Sequence, residues 1–257
     1  KIVCCAYGAN TNPPSNIDKL EPNVEVVIVG GRRPRNSLPE QREPIQKLRA
    51  GWIAKTVRPI LIFENYPFTG RGTYLPAFVA RTIGDSINAT KGVSRGEDIW
   101  LSFPRTHNDP NIGFDHFQVY FTARMWWGGN KADVAAMLDE YCHLFYRSAG
   151  TKMKRFFEYC EANYQAMESD KEKIDTVLEI FASAKASVVP DSIHGRRIAL
   201  IDGFLDALRS KAGQLGQKRG PVAKLRTVRE PKVPIVIDGK LDEPYWRDCL
   251  SASTGRL

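Results

Sequence analysis

The sequence predicts an α/β protein, the C-terminal half of a (β/α)8 TIM-like barrel followed by an α-helical bundle extension. Three observations point there. Short apolar runs at residues 2–7, 24–29, 59–63 and 99–103 are separated by loops and helical patterns. From Asp115 the pattern turns helical and stays so. Strand, loop, helix and strand recur every roughly 20 to 40 residues, the rhythm of a parallel sheet or barrel. About four units are present and an eight-stranded barrel needs twice that, so half a barrel or a small open sheet is expected. The chain enters a strand pattern directly at Lys1 and stops inside a motif, which favours the half barrel and a piece of a longer protein.

The first strand ends in Tyr7-Gly8, and the second in Gly30-Gly31-Arg32-Arg33-Pro34. A helix over 40–56 follows, because Ile45, Leu48, Trp52 and Ile53 fall at i, i+3, i+7 and i+8 on one stripe. The third strand, Ile60 to Phe63, runs apolar without alternation, which predicts burial on both faces. It stops at Glu64-Asn65-Tyr66, before a loop rich in Pro and Gly. The next helix is expected to carry Leu75, Phe78, Val79 and Ile83 on one face, with Lys91-Gly92 as its end. Glu97-Asp98 then precede a fourth strand over 99–103.

Beyond it, Phe117, Phe121, Met125 and Trp126-Trp127 form an apolar segment closed by Gly128-Gly129. Four helical stripes follow. They are Val134, Met137, Leu138, Tyr141, Cys142 and Phe145; Met153, Phe156, Phe157, Cys160 and Tyr164; Ile174, Val177, Leu178 and Phe181; and Ile198, Ile201, Leu205 and Leu208. Such stripes are core packing, and they predict a helical bundle over 131–212 after a barrel half over 1–130. A linker rich in Gly, Lys and Arg is expected over 213–232, and the start of a new β domain over 233–257.

Composition narrows the function. The net charge of +8 is spread along 257 residues without an interleaved aromatic pattern, which argues against nucleic-acid binding. No apolar run reaches membrane-spanning length. The five cysteines, Cys4, Cys5, Cys142, Cys160 and Cys249, include no C-x-x-C pair and have no His at ligand spacing, so no metal or other cofactor is expected. There is no nucleophile elbow, and Gly70-Arg71-Gly72 lacks the rest of a phosphate loop.

If the βα units are real, their strand ends converge on Tyr7, Arg32, Arg33, Glu64 and Tyr66, joined by Glu97-Asp98 or by the loop 104–109 that holds His107 and Asp109. Aromatic faces, arginines and carboxylates suit sugar recognition, and glycosidic hydrolysis needs two carboxylates about 5 to 10 Å apart. Glu64, first past the buried run, is the candidate catalytic carboxylate, aimed into a barrel mouth. Tyr7, Arg32, Tyr66, Arg71, His107 and Asp109 are candidate substrate contacts. Each has a plain alternative: Glu64 as a solvated strand end, Arg32-Arg33 as surface charge, His107 and His116 as loop hydrogen-bonders. Glu97-Asp98, read as preceding its strand, falls at the face of a barrel associated with stability.

Two stretches carry a family resemblance. The strand end Phe63-Glu64-Asn65-Tyr66, the segment from Phe117 to Trp127, Ala132-Asp133-Val134, Leu138-Asp139-Glu140-Tyr141-Cys142 and Phe145-Tyr146 together resemble the C-terminal half of the DUF4838 family over residues 1 to about 165. That family is related to α-glucuronidase-type glycoside hydrolase barrels. It often has a Gly after the final Tyr, where this chain has Arg147. Ile237-Asp238-Gly239-Lys240-Leu241-Asp242-Glu243-Pro244-Tyr245-Trp246 resembles the first strand of a family 9 carbohydrate-binding module-like domain.

The resemblance implies a secreted, extracellular or periplasmic, glycan-active protein with a carbohydrate substrate. Its further partners would be the other barrel half and the carbohydrate-binding module of the same parent chain. Glu64 would be a general base or water-positioning carboxylate, Tyr7 and Tyr66 sugar contacts and Arg32 a contact to an acidic sugar, while the general acid would lie in the first barrel half. The rival reading is a non-catalytic carbohydrate-binding or scaffolding protein.

Overall fold

A computed structural model describes residues 1–65, 75–100, 112–128 and 132–216. The chain divides into two compact units, Lys1–Gln217 and Lys218–Leu257, and all described residues lie in the first. Its fold is α/β, with a four-stranded parallel sheet and a predominantly helical remainder.

The strands are β1 (Ile2–Ala6), β2 (Val24–Val29), β3 (Ile60–Asn65) and β4 (Ser94–Trp100), hydrogen-bonded in the order β1-β2-β3-β4 and all parallel. Sequential order without reversal needs every crossover to pass on the same side of the sheet, given the right-handedness of such connections. The β2–β3 crossover is helix α1 (Pro39–Lys55), and the β3–β4 crossover contains α2 (Ala80–Thr90). Trp52 of α1 packs with Ala6, Val26, Ile28, Ile60 and Ile62 into a small core. The alternate residues of the strands face away from it. Val3 is 57% exposed, while Val27, Val29, Leu61 and Phe63 are half-buried.

The expected burial of β3 on both faces therefore gives way to alternation: Ile60, Ile62 and Glu64 are buried, and Leu61, Phe63 and Asn65 half-buried. Two further boundaries differ. Strand β4 lies at 94–100, so Glu97 and Asp98 sit within it, because Glu97 finds buried partners and Asp98 an open face. Leu75, Phe78 and Val79 are buried as expected, but they precede α2, which begins at Ala80.

The rest is helical: α3 (Ile112–Trp127), α4 (Val134–Tyr146), α5 (Gly150–Asn163), α6 (Lys171–Lys185) and α7 (Ile193–Gly216). Helix α7 runs beyond residue 212, into the expected linker. One large core joins α2 through α7, with Phe78, Phe117, Phe121, Tyr146, Phe156, Phe157 and Phe181 fully or almost fully buried. The four stripes supply most of it, and Cys142 and Cys160 are buried free thiols within it. Local chemistry sets the helix starts. Asp133 caps α4 by accepting from Ala135 N and Ala136 N at 2.8 and 3.1 Å, and Asp170 does the same for α6. Helix α2 is capped from a distance: Glu161 on α5 accepts from Thr82 N at 2.9 Å, Thr82 Oγ1 at 2.8 Å and Arg81 N at 3.2 Å.

Candidate functional site

The carboxyl ends of the strands place polar groups on both faces of the sheet, and the two sets differ in kind. Behind the sheet, on the helix-covered face, lie Arg32, Arg49, Glu64, Ser86 and Glu97. Glu64 extends the buried row of Ile60 and Ile62. Glu97, paired with Ile62 in the β3–β4 register, points the same way.

Arg32 reaches this cluster through the turn after β2. Gly30 and Gly31 have φ of 82° and 140°, and a Cβ on Gly31 would stand 2.7 Å from Arg49 Nη2. Only glycine lets the backbone pass this close to a buried guanidinium. Arg32 N then donates to Glu64 Oε2 at 3.3 Å. Its side chain donates from Nη1 to Glu97 Oε2 at 2.7 Å, from Nη2 to Glu97 Oε1, and from Nε to Ser86 Oγ at 3.0 Å. Arg49 of α1 donates to the same Ser86 Oγ at 3.0 Å and lies 3.6 Å from Glu64 Oε1. Trp126 of α3 closes the group by donating from Nε1 to Glu97 Oε2 at 2.8 Å.

Burial dominates the electrostatics. Glu64 is 1% exposed and its Oε1 accepts no hydrogen bond. Desolvation raises its pKa above the ordinary carboxylate value, and the nearby Arg32 and Arg49 charges only partly offset that. Desolvation also pulls Arg49 down, against the attraction of Glu64. Two arginines and two glutamates balance in charge, and the forked Arg32–Glu97 pair gives the cluster its geometry.

The opposite face is exposed or half-buried except at Glu25, which Lys1 and Arg95 cover, and it carries a different inventory at its carboxyl rim. Tyr7 continues β1 in an extended conformation, on the side of Cys5, and is 61% exposed. Asn65 pairs with Trp100 and Phe63 with Asp98 across β3 and β4. Asp98 is exposed, and Trp100 is 65% exposed. Neighbouring strands stand about 4.8 Å apart, so Asn65, Asp98 and Trp100 share one small patch, while Tyr7 stands at the opposite edge of the sheet, three strand spacings away.

The expected site residues thus divide. Tyr7 lies on the open rim. Glu64 does not aim out of that rim: strand parity turns it to the helix face, where no solvent reaches it. Arg32 is fully buried and engaged with Glu97 and Ser86, so the surface-charge alternative fails for it, though Arg33 is exposed; its expected place as an accessible contact to an acidic sugar fails as well. Tyr66, Arg71, His107 and Asp109 lie outside the described residues. His116 is a packed α3 residue: its Nε2 is 2.8 Å from Tyr141 Oη and its ring stacks on Phe145.

Comparison with family models, curated proteins and solved structures gives no match. The residues themselves must carry the reading.

Among the described residues, no group of three or more His, Cys, Asp or Glu side chains is placed to hold a metal ion, and no helix is long and apolar enough to cross a membrane. A groove between α6 and α7 is lined by charges that pair with one another, Lys185 with Asp202 and Arg209 with Asp202. Sequence reasoning passed over Arg49, Ser86, Asn65 and Trp100. The one usable signal was Asp98, beside Glu97 in a strand whose frame was placed five residues too late.

Proposed function

We propose that this chain forms the C-terminal half of a (β/α)8-type barrel in a secreted or periplasmic glycan-active protein, with saccharide lying across the open face at the strand ends. One observation carries the reading. A sequentially ordered parallel sheet, covered by α1 on one face, carries Tyr7, Asn65, Asp98 and Trp100 at the carboxyl rim of the other. In a barrel that rim is where ligands bind. Aromatic rings cover the C–H faces of a pyranose, while amide and carboxylate groups take its hydroxyls. The resemblance to the DUF4838 family, on the residues given above, supports the same reading, as does the carbohydrate-binding module-like motif at 237–246.

A non-catalytic carbohydrate binder is the second reading. It is favoured by Glu64, the expected base, being sealed behind the sheet between Arg32 and Arg49. Glycan-array binding and oligosaccharide hydrolysis assays on the intact protein test both. Hydrolysis supports the enzyme, binding without hydrolysis supports the binder, and neither binding nor hydrolysis removes the glycan reading.

A further inference from the structure

We propose that Asp98, with the Asn65 amide beside it, is the contact through which the open face takes the hydroxyls of a neutral saccharide. The inference rests on the glycan reading above and assigns it a residue and a ligand class.

Strand parity provides the starting point. Side chains alternate along β4, so the burial of Glu97 behind the sheet sends Asp98 to the front. The same alternation along β3 sends Glu64 back and Asn65 forward. Asn65 pairs with Trp100 and Phe63 with Asp98, so Asp98 is the diagonal neighbour of Asn65. Same-face diagonal neighbours lie about 7 to 8 Å apart at the backbone, a span on the scale of one sugar ring with its hydroxyls.

The hydrogen-bonding capacities fit that ligand. Asn65 Oδ1 is out of contact with solvent and accepts no hydrogen bond. A shielded acceptor without a donor stays destabilising until a donor reaches it, which takes a turn of the Asn65 side chain toward the arriving hydroxyl. Asp98 is exposed, so its carboxylate stays hydrated when unliganded and can accept one or two hydroxyls when ligand arrives. Trp100 presents a largely exposed indole beside both. Hydroxyl donors next to an apolar C–H face are the surface of a sugar.

Charge selects among sugars. The carboxylate of Asp98 repels a uronic acid. Arg32 could have compensated, but it lies behind the sheet with its charge neutralised by Glu97. A neutral saccharide is therefore the better ligand.

The buried cluster acquires a purpose in this arrangement. Arg32 and Trp126 hold Glu97 from behind, with Ser86 in turn holding Arg32, which fixes the rotation of β4 and hence the direction of Asp98. Arg32 is in this sense a positioning residue, not a contact.

The test uses the intact protein and an array of neutral and uronic-acid-containing oligosaccharides. The wild type should bind neutral glycans. Asp98→Ala and Asp98→Asn should each bind at least tenfold more weakly with unchanged thermal melts, since Asp98 is exposed. Asn65→Ala should weaken the same glycans. Wild-type binding that survives in both folded Asp98 variants overturns this inference and leaves the glycan reading standing. Preference for uronic-acid glycans also overturns it. Absence of wild-type binding to every glycan removes the inference together with the reading it rests on.

Discussion

Arg32 and Glu97, 65 residues apart, meet in a two-pronged ion pair behind the sheet, with Nη1 donating to Oε2 at 2.7 Å and Nη2 to Oε1. Both side chains are nearly sealed from solvent, at 0% and 6% exposure. The pair joins the turn after β2 to the middle of β4 across the intervening β3. Ser86 and Trp126 add tethers to α2 and α3. The guanidinium of Arg32 therefore ties the turn after β2 and α2 to β4, and Glu97 itself receives the α3 tether from Trp126.

Removing either partner leaves a buried charge without its counterion, which typically costs about 3 to 5 kcal/mol. Arg32→Ala and Glu97→Ala are each expected to destabilise by that amount in urea unfolding. The double variant Arg32→Met/Glu97→Leu should recover most of the loss, because the space is refilled by apolar groups. Single variants that cost less than about 1 kcal/mol would show that the pair is not holding β4.

Glu64 makes stability depend on pH in an unusual direction. Burial raises its native pKa above the ordinary carboxylate value, 4.5. The folded state then binds the proton more tightly than the unfolded state. That contribution is complete below the unfolded pKa and is lost as pH rises through the native value. Replacing Glu64 with Gln removes the titration. The stability of Glu64→Gln relative to wild type should therefore rise between pH 4 and pH 8, as read from urea midpoints. A difference that stays flat, or falls, would mean that the two arginines outweigh desolvation.

Arg147 occupies backbone space that favours glycine, with φ 49° and ψ −113°. It ends α4 immediately after Tyr146. A non-glycine residue held in such a region costs about 1 to 3 kcal/mol, and the greater unfolded-state entropy of glycine takes back part of any gain. Arg147→Gly should raise stability by about 1 kcal/mol, while Arg147→Ala should not. Equal melting temperatures for the Gly variant and the wild type would count against strain at this turn.

The open sheet face has a consequence for solution behaviour. Parallel sheets are ordinarily covered on both faces, and free edges recruit further strands. Here Val3, Val27, Val29, Leu61 and Phe63 are left exposed or half-buried, beside two edge strands. Residues 1–216 made alone should self-associate at micromolar concentration, and Leu61→Lys with Val27→Lys should reduce this. Light scattering across a dilution series measures it. A monomeric wild type with a cooperative melt would argue against the half-barrel reading.

Much of the helical region was legible without coordinates. The stripes from Val134 to Leu208 follow a 3.6-residue period, and a period is a local property that one side of a helix must satisfy to be buried. The caps Asp133 and Asp170 came from the structure, although a cap too is local, bonding backbone N–H groups two or three residues ahead. The four strands were legible as apolar runs, though β4 was misplaced because Glu97 and Asp98 read as polar punctuation. Leu75, Phe78 and Val79 were correctly core residues but not helical ones. Apolarity reports burial, not backbone conformation.

The sequence by itself determined an α/β chain with parallel strands first and helices after, because those features rest on period, length and spacing. The tertiary structure alone decided which way the polar residues at the strand ends face. An unbroken apolar run such as Ile60 to Phe63 carries no parity, so nothing local says whether Glu64 points forward or back. Parity comes from register with β2 and β4 and from the helix face that must cover Ile60 and Ile62. Glu64 and Glu97 turn inward toward opposite charge, and those charges, Arg32 and Arg49, come from other elements of the chain. That distant compensation sends Glu64 and Glu97 behind the sheet and leaves Asp98 and Asn65 in front.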